Sequence, residues 1–366
     1  MWPVSWASPG FGSLPSNRSN KANVQKLLTS IWYGSHPLSW LLWPSSLLFR
    51  ALAGWRRKAF LAGRRPAYHA PVPVIVVGNL NVGGTGKTPV TLALLQELRQ
   101  RGWNPGVVSR GYGGEASSYP HRVSATDTAG VVGDEPLMIH LRTGAPVVVD
   151  PDRAAAVREL LQPGDVDVVI SDDGLQHYPL ARTLELVVVD GQRGFGNRHT
   201  LPMGPLREPM ERLAEVDALL VNGPGTHVSL KQLSQWSVPQ FTLSLNAGPP
   251  VALNSESEAA LDAALQGQVY AVAGIGHPQR FFATLAQMNI AHEPVVFDDH
   301  HDYTELDLEP YEEGFILTTE KDAVKLRALR HLKAAYVPVD TQLSGELMDV
   351  ILARLEHFKQ HHRHRY

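Results

Sequence analysis

The chain has no cysteine. Disulfides, thiolate metal sites and cysteine nucleophiles are thereby excluded, and the composition fits a reducing compartment. Charge is scarce as well. Only 19% of the 366 residues are Asp, Glu, Lys or Arg, and the net charge is −3. No basic excess marks nucleic acid as a partner. An unbroken apolar run of the roughly 20 residues that a membrane span needs is missing. So is the basic, apolar, small-residue order of a secretory signal. What is present is an ordinary soluble composition, with length enough for two domains, since single cores seldom pass about 250–300 residues.

Residues 1–22, rich in Ser, Pro, Gly and Asn, are expected to be a disordered extension. Residues 23–66 carry Trp, Leu and Phe, interrupted by Pro44, Ser45 and Ser46 and followed by Arg50, Arg56, Arg57, Lys58, Arg64 and Arg65. That pattern predicts amphipathic helices lying in the interface of an anionic membrane surface, where basic residues meet headgroups. From Pro71 strands and helices alternate. Val74–Val77 is β-branched throughout, as in a parallel strand covered on both faces. Further strands are expected at Pro105–Ser109, Pro146–Val149, Val166–Ser171, Leu184–Val189 and Ala218–Val221. The alternation predicts an α/β fold of the P-loop NTPase kind, a doubly wound, mostly parallel sheet spanning 67–225. A Gly-, Pro- and Ser-rich linker or hairpin is expected over 226–265, and a smaller α/β domain over 266–366. That domain ends in a helix at Glu346–Phe358. The tail His361–Tyr366 reads as a solvated terminus.

Two motifs carry the strongest chemistry. Asn81-Val82-Gly83-Gly84-Thr85-Gly86-Lys87-Thr88 follows a strand and opens a helix. Such a loop aims backbone N–H groups and one ammonium at phosphates, while the Thr hydroxyl reaches Mg²⁺. Asn81 stands where the usual pattern has Gly. Asn tolerates left-handed backbone angles, so the departure is mild. The second motif ends an apolar strand in Asp172-Asp173, the way P-loop enzymes supply a carboxylate to the metal. Two adjacent carboxylates repel unless a cation offsets them; Gln176 and His177 follow within reach. Weaker signals are Arg110 in a glycine loop, Asp134 where a general base could sit, and Arg207 as a charge-stabilising group. Asp298–Tyr303 reads either as a metal cluster or as a polar loop facing the cleft, and Thr318–Asp322 is polar enough to line that cleft.

In this order, Gly78–Thr88, Ser109–Gly113, Gly133–Pro136, Asp172–His177, Leu201–Pro209, Gly274–Phe282, Asp299–Tyr303 and Thr318–Leu326 resemble the tetraacyldisaccharide 4'-kinase family of lipid A synthesis. The resemblance implies transfer of the ATP γ-phosphate to the 4'-hydroxyl of the lipid A disaccharide precursor, at the cytoplasmic face of the bacterial inner membrane. It implies ATP and Mg²⁺ as cofactors, the metal held by Thr88, Asp172, Asp173 and Gln176. Lys87 would hold the β- and γ-phosphates, Arg207 would stabilise their charge, and Asp134 would be the base, supported by His300. Domain closure is expected to gate the reaction, and a monomer is expected. The competing reading is a P-loop ATPase of the metal-insertion or septum-placement type. Those loops usually carry a Lys where this chain has Val82.

Overall fold

The computed structural model describes residues 27–34, 36–226, 231–329 and 332–362. The expected extension at 1–22 and residues 363–366 of the tail lie outside them.

The strands β1 (Val74–Gly78), β2 (Pro105–Ser109), β3 (His121–Arg122), β4 (Val147–Val149), β5 (Val168–Asp172), β6 (Leu184–Asp190), β7 (Ala218–Asn222) and β8 (Gln240–Leu243) form one sheet. Its order is β3-β4-β2-β5-β1-β6-β7-β8. All neighbours run parallel except β3 against β4. Every residue of β1 and β5 is buried, as continuous β-branched runs require when helices cover both faces. β1 lies between β5 and β6, with Val77 in register with Asp172 and Gly78 with Val187. The chain therefore leaves β1 and β5 side by side, at the crevice where open α/β sheets bind ligands.

A second sheet is built from β10 (Val251–Ala252), β11 (Val269–Ala273), β12 (Glu293–Val296), β13 (Phe315–Thr319) and β14 (Ala334–Val337), in the order β10-β14-β13-β11-β12. A short ladder between β9 (Leu245–Ala247) and β15 (Val339–Thr341) runs beside it. Within 226–265, read from sequence as linker or hairpin, β8 continues the large sheet and Ser255–Ala264 forms a helix. Asn254 caps that helix, accepting from the Ser257 amide at 2.8 Å.

The final helix, Gly345–His362, does not join the second sheet. Leu347, Ile351 and Leu355 recur at i, i+4 and i+8 and are fully buried in the core beside Val90, Leu94, Leu98 and Val107 of the first. Lys359 lies over the Trp103 ring at 3.3 Å, and Arg354 meets Asp217 at 2.7 Å. The helical period announces an apolar stripe but not the surface that receives it. Replacing Ile351 with Ala should therefore destabilise the phosphate-loop core, by about 2–5 kcal/mol. A denaturant midpoint equal to wild type would refute that placement.

At the other end, a 3₁₀ turn at Pro37–Leu42 leads into the helix Trp43–Leu61, of which only Ser46 and Ala59 are buried. The Ser46 hydroxyl donates to the Thr200 carbonyl at 2.8 Å, and the Trp32 indole to the Pro202 carbonyl at 3.0 Å. Arg57 pairs with Glu215. The outer side is apolar and open: Trp40, Leu41, Leu48, Trp55 and Leu61 are all more than half exposed. Among the described residues no helix is long and apolar enough to cross a membrane.

Candidate active site

The phosphate loop is braced by amides. Asn79 Nδ2 donates to the Gly83 carbonyl at 3.2 Å and to Thr85 Oγ1 at 3.1 Å. Asn222, ending β7, donates to the Thr85 carbonyl at 3.0 Å. Gly86 sits at φ +93°, and a Cβ there would lie 2.5 Å from Asn222 Nδ2, so no other residue fits. Gly86 precedes the helix Lys87–Gln100, whose N-terminus has no side-chain cap. Its free N–H groups make it an anion site. Asn81 is not in the left-handed region. Its role is lateral instead: Nδ2 donates to the Gly194 carbonyl at 3.0 Å, and the residue bridges Leu206. Position 81 thus ties the loop to the segment carrying Arg207.

Asp172, the last residue of β5, is buried, with the Thr91 hydroxyl 3.2 Å away. Burial, with Glu135 and Asp173 nearby, pushes its carboxyl up to about 7 against the pull of Lys87. Asp173 sits at φ +48°, 3.5 Å from Lys87 Nζ, and accepts Arg207 Nη1 on both oxygens at 3.0 Å. Burial opposes its charge, but Lys87 and Arg207 outweigh that and hold it below the usual carboxylate range. Gln176 Nε2 donates to the Asn79 carbonyl at 3.2 Å, and its Oε1 accepts Arg207 at 3.5 Å. These contacts brace Arg207 and the loop. Thr88, the second residue of that helix, lines the same cavity as these carboxylates, so the donors are oxygens. That set suits Mg²⁺, which takes one or two carboxylates and completes its shell with waters and phosphates. No cluster of three His, Asp or Glu able to hold a metal occurs among the described residues, so the alternative of a metal cluster at Asp298–Tyr303 is corrected.

That loop faces the cleft. His300, at φ +60°, places Nδ1 3.0 Å from Asp134 Oδ2. Lys321 lies 3.0 Å from Glu135, 3.3 Å from His300 Nε2 and 3.8 Å from Asp134. Burial would raise the Asp134 carboxyl, but His300, Lys321 and Lys325 together hold it low. The hydrogen bond to Asp134 raises His300 in turn, against its own burial. The contact thus favours charge on both partners, lowering the carboxyl and raising the imidazole. His301 turns away to Asp307, 3.2 Å distant, and stacks on Phe297.

One cavity of about 1760 Å³ joins these groups. Lys87, Thr88, Asp172, Asp173, Gln176 and Arg207 line it on one side, His300 and Lys321 on the other, and Phe49, Leu52 and Ala53 of the N-terminal helix at its edge. Asp134 does not line it; it lies behind His300 and Glu135. Three residues escaped the sequence reading. Arg153, buried in the wall, donates to the Asp150 carbonyl at 3.0 Å, and burial lowers its guanidinium to about 10. Its signal was a position just past the carboxyl end of β4. Arg280 crosses from the second sheet to both oxygens of Asp190 at 2.8 Å. Glu208, also buried, accepts from the Tyr178 hydroxyl and from Gln176, the latter at 3.3 Å. Asp190 ends β6, and Glu208 follows Arg207 directly.

A family profile described as tetraacyldisaccharide-1-P 4'-kinase matches residues 38–356. The chain is 48% identical to the tetraacyldisaccharide 4'-kinase of Aeromonas salmonicida, over 90% of this chain and 96% of that one. It is 46% identical to the enzyme of the same name from Pseudomonas aeruginosa, over 90% and 97%. Among solved structures, LpxK from Aquifex aeolicus in complex with ATP superposes with a TM-score of 0.71 at 27% identity, covering 87% of this chain and 99% of that one.

Proposed function

The chain belongs to the tetraacyldisaccharide-1-P 4'-kinase family, and from that premise we propose that it moves the γ-phosphate of ATP to the 4'-hydroxyl of the lipid A disaccharide precursor. Family membership decides against the metal-insertion or septum-placement ATPase. The observation that carries the residue roles is the single cavity in which the phosphate loop faces His300 across Asp172, Asp173 and Arg207.

Phosphoryl transfer requires positioning and charge neutralisation more than covalent help. Lys87 and Arg207 both pair with Asp173. Incoming phosphates compete for them, and the two cations neutralise the transferred group. Thr88, Asp172 and Asp173 would hold Mg²⁺, which when bound neutralises phosphate charge; Gln176 stands at the same site and keeps Arg207 in place. Asp134, already anionic, takes the hydroxyl proton, and His300 holds it ready. A second reading has its own observation: His300 lines the cavity and Asp134 does not, so His300 itself accepts the proton while Asp134 orients it. Contacts crossing to the second sheet, Arg280 to Asp190, Arg142 to Glu320 and Lys321 to Glu135, are the ones that closure would make and break.

Purified protein with γ-labelled ATP, Mg²⁺ and the disaccharide lipid should yield labelled lipid. Label appearing only as free phosphate, with or without lipid, overturns the proposal.

The N-terminal helix presents the cavity edge and an exposed apolar side together. We propose that it rests peripherally on the anionic cytoplasmic leaflet. Substituting Leu41, Leu48 and Trp55 with Ser should weaken sedimentation with anionic vesicles by about tenfold or more for each side chain withdrawn from lipid. Undiminished binding by the triple variant would remove the anchor.

A further inference from the structure

The helix Trp43–Leu61 has a second inward side. Phe49, Leu52, Ala53 and Arg56 border the large cavity, whereas Trp43, Ser46, Leu47 and Arg50 border a separate groove of about 350 Å³. At 3.6 residues per turn the two sets lie about 120° apart around the helix. The far wall of the groove comes from Arg198, His199, Glu211 and Trp236.

Two features of this groove are unused by the kinase reaction. Its charge is cationic. Arg50 is neutralised by Glu211 at 3.1 Å, but Arg198, exposed at φ +66°, makes no ion pair among the described residues. Arg198, His199 and Arg50 all line the groove, and burial, then Arg198 and Arg50, disfavour a charged His199. The groove also opens beside Trp43 and Leu47, two of the exposed apolar side chains of the membrane-facing helix.

We propose that this groove binds the headgroup phosphate of one anionic glycerophospholipid, distinct from the substrate, with its acyl chains along Trp43 and Leu47. A guanidinium fork matches phosphate oxygens. The volume stands near the lower end of ligand pockets, enough for a headgroup and not for a disaccharide lipid. The lipid would fix the helix on the bilayer by a face other than the one that borders the active cavity.

Native mass spectrometry of the full-length protein in mild detergent tests this away from any bilayer surface potential. Phosphatidylglycerol should be retained as one equivalent per chain in preference to phosphatidylcholine. Arg198→Gln should reduce that retention about tenfold, as losing one charge-assisted contact does, and Arg198→Glu should abolish it. Arg327→Gln, which removes the same charge at an exposed site outside the groove, should change nothing. Both Arg198 variants, altered at an exposed side chain, should keep wild-type unfolding midpoints. Equal retention of the two lipids, persistence in Arg198→Glu, or an equal loss in Arg327→Gln would overturn the site. Displacement of the lipid by millimolar inorganic phosphate would also overturn it, by reassigning the groove to a free anion.

Discussion

Asp134→Asn should lower kcat by about 10²–10⁴-fold, the range for loss of a general base, while leaving nucleotide affinity nearly unchanged. Asparagine keeps the size and one acceptor oxygen of Asp134 but cannot take a proton or hold an imidazolium. The residue does not line the cavity and pairs with His300 rather than with the phosphate loop, so ATP binding should survive. Wild-type pH dependence separates the two members of the dyad. Asp134 is depressed below its ordinary 3.8, chiefly because the cations His300, Lys321 and Lys325 overcome its burial. As the base it would keep kcat/KM level through mild acid, with loss only as pH falls below that value. His300 is raised above 6.5 by the same contact. As the base it would be protonated and idle below about that pH, and activity would climb as pH rises through its elevated pKa. An Asp134→Asn enzyme turning over normally would place the proton acceptor elsewhere altogether.

Lys87→Ala should cost both steps. Its ammonium is largely buried and stands 3.5 Å from Asp173, positioned where phosphates arrive from the uncapped helix N-terminus. Removing one preorganised donor to a developing charge costs about 10²–10³ in kcat, and ground-state contact with the phosphates is lost as well. Calorimetric ATP affinity should therefore fall alongside turnover. Lys87→Arg should rescue little, because a planar guanidinium does not replace a point charge inside a closed glycine loop. Weaker binding with an unchanged kcat would restrict Lys87 to ground-state binding.

The phosphate-loop end of the candidate site was legible because its geometry is local. A strand, a glycine turn and a helix start are contiguous in Gly78–Thr88, and Asp172 and Asp173 end the neighbouring strand. Backbone stereochemistry and β-branched periodicity place such segments with little help from the rest of the chain. Asn81 was read correctly as part of the loop, but for a reason that fails: its backbone is not left-handed, and its amide works sideways on Gly194. That contact needs a partner far along the chain, which no local rule supplies.

The alternating α/β order, the phosphate loop and the carboxylate pair were thus determined by the sequence itself, because strand and helix periods and glycine stereochemistry act over neighbouring residues. Only the tertiary structure decided which apolar surfaces meet. It sent the last helix back to the first core through Ile351, placed His300 over Asp134, buried Arg153 in the cavity wall and gave the N-terminal helix two separate inward sides. The reason is physical. Periodicity reveals that a face must be covered, but the covering surface is chosen by packing, and long-range ion pairs form only once packing has brought their partners together.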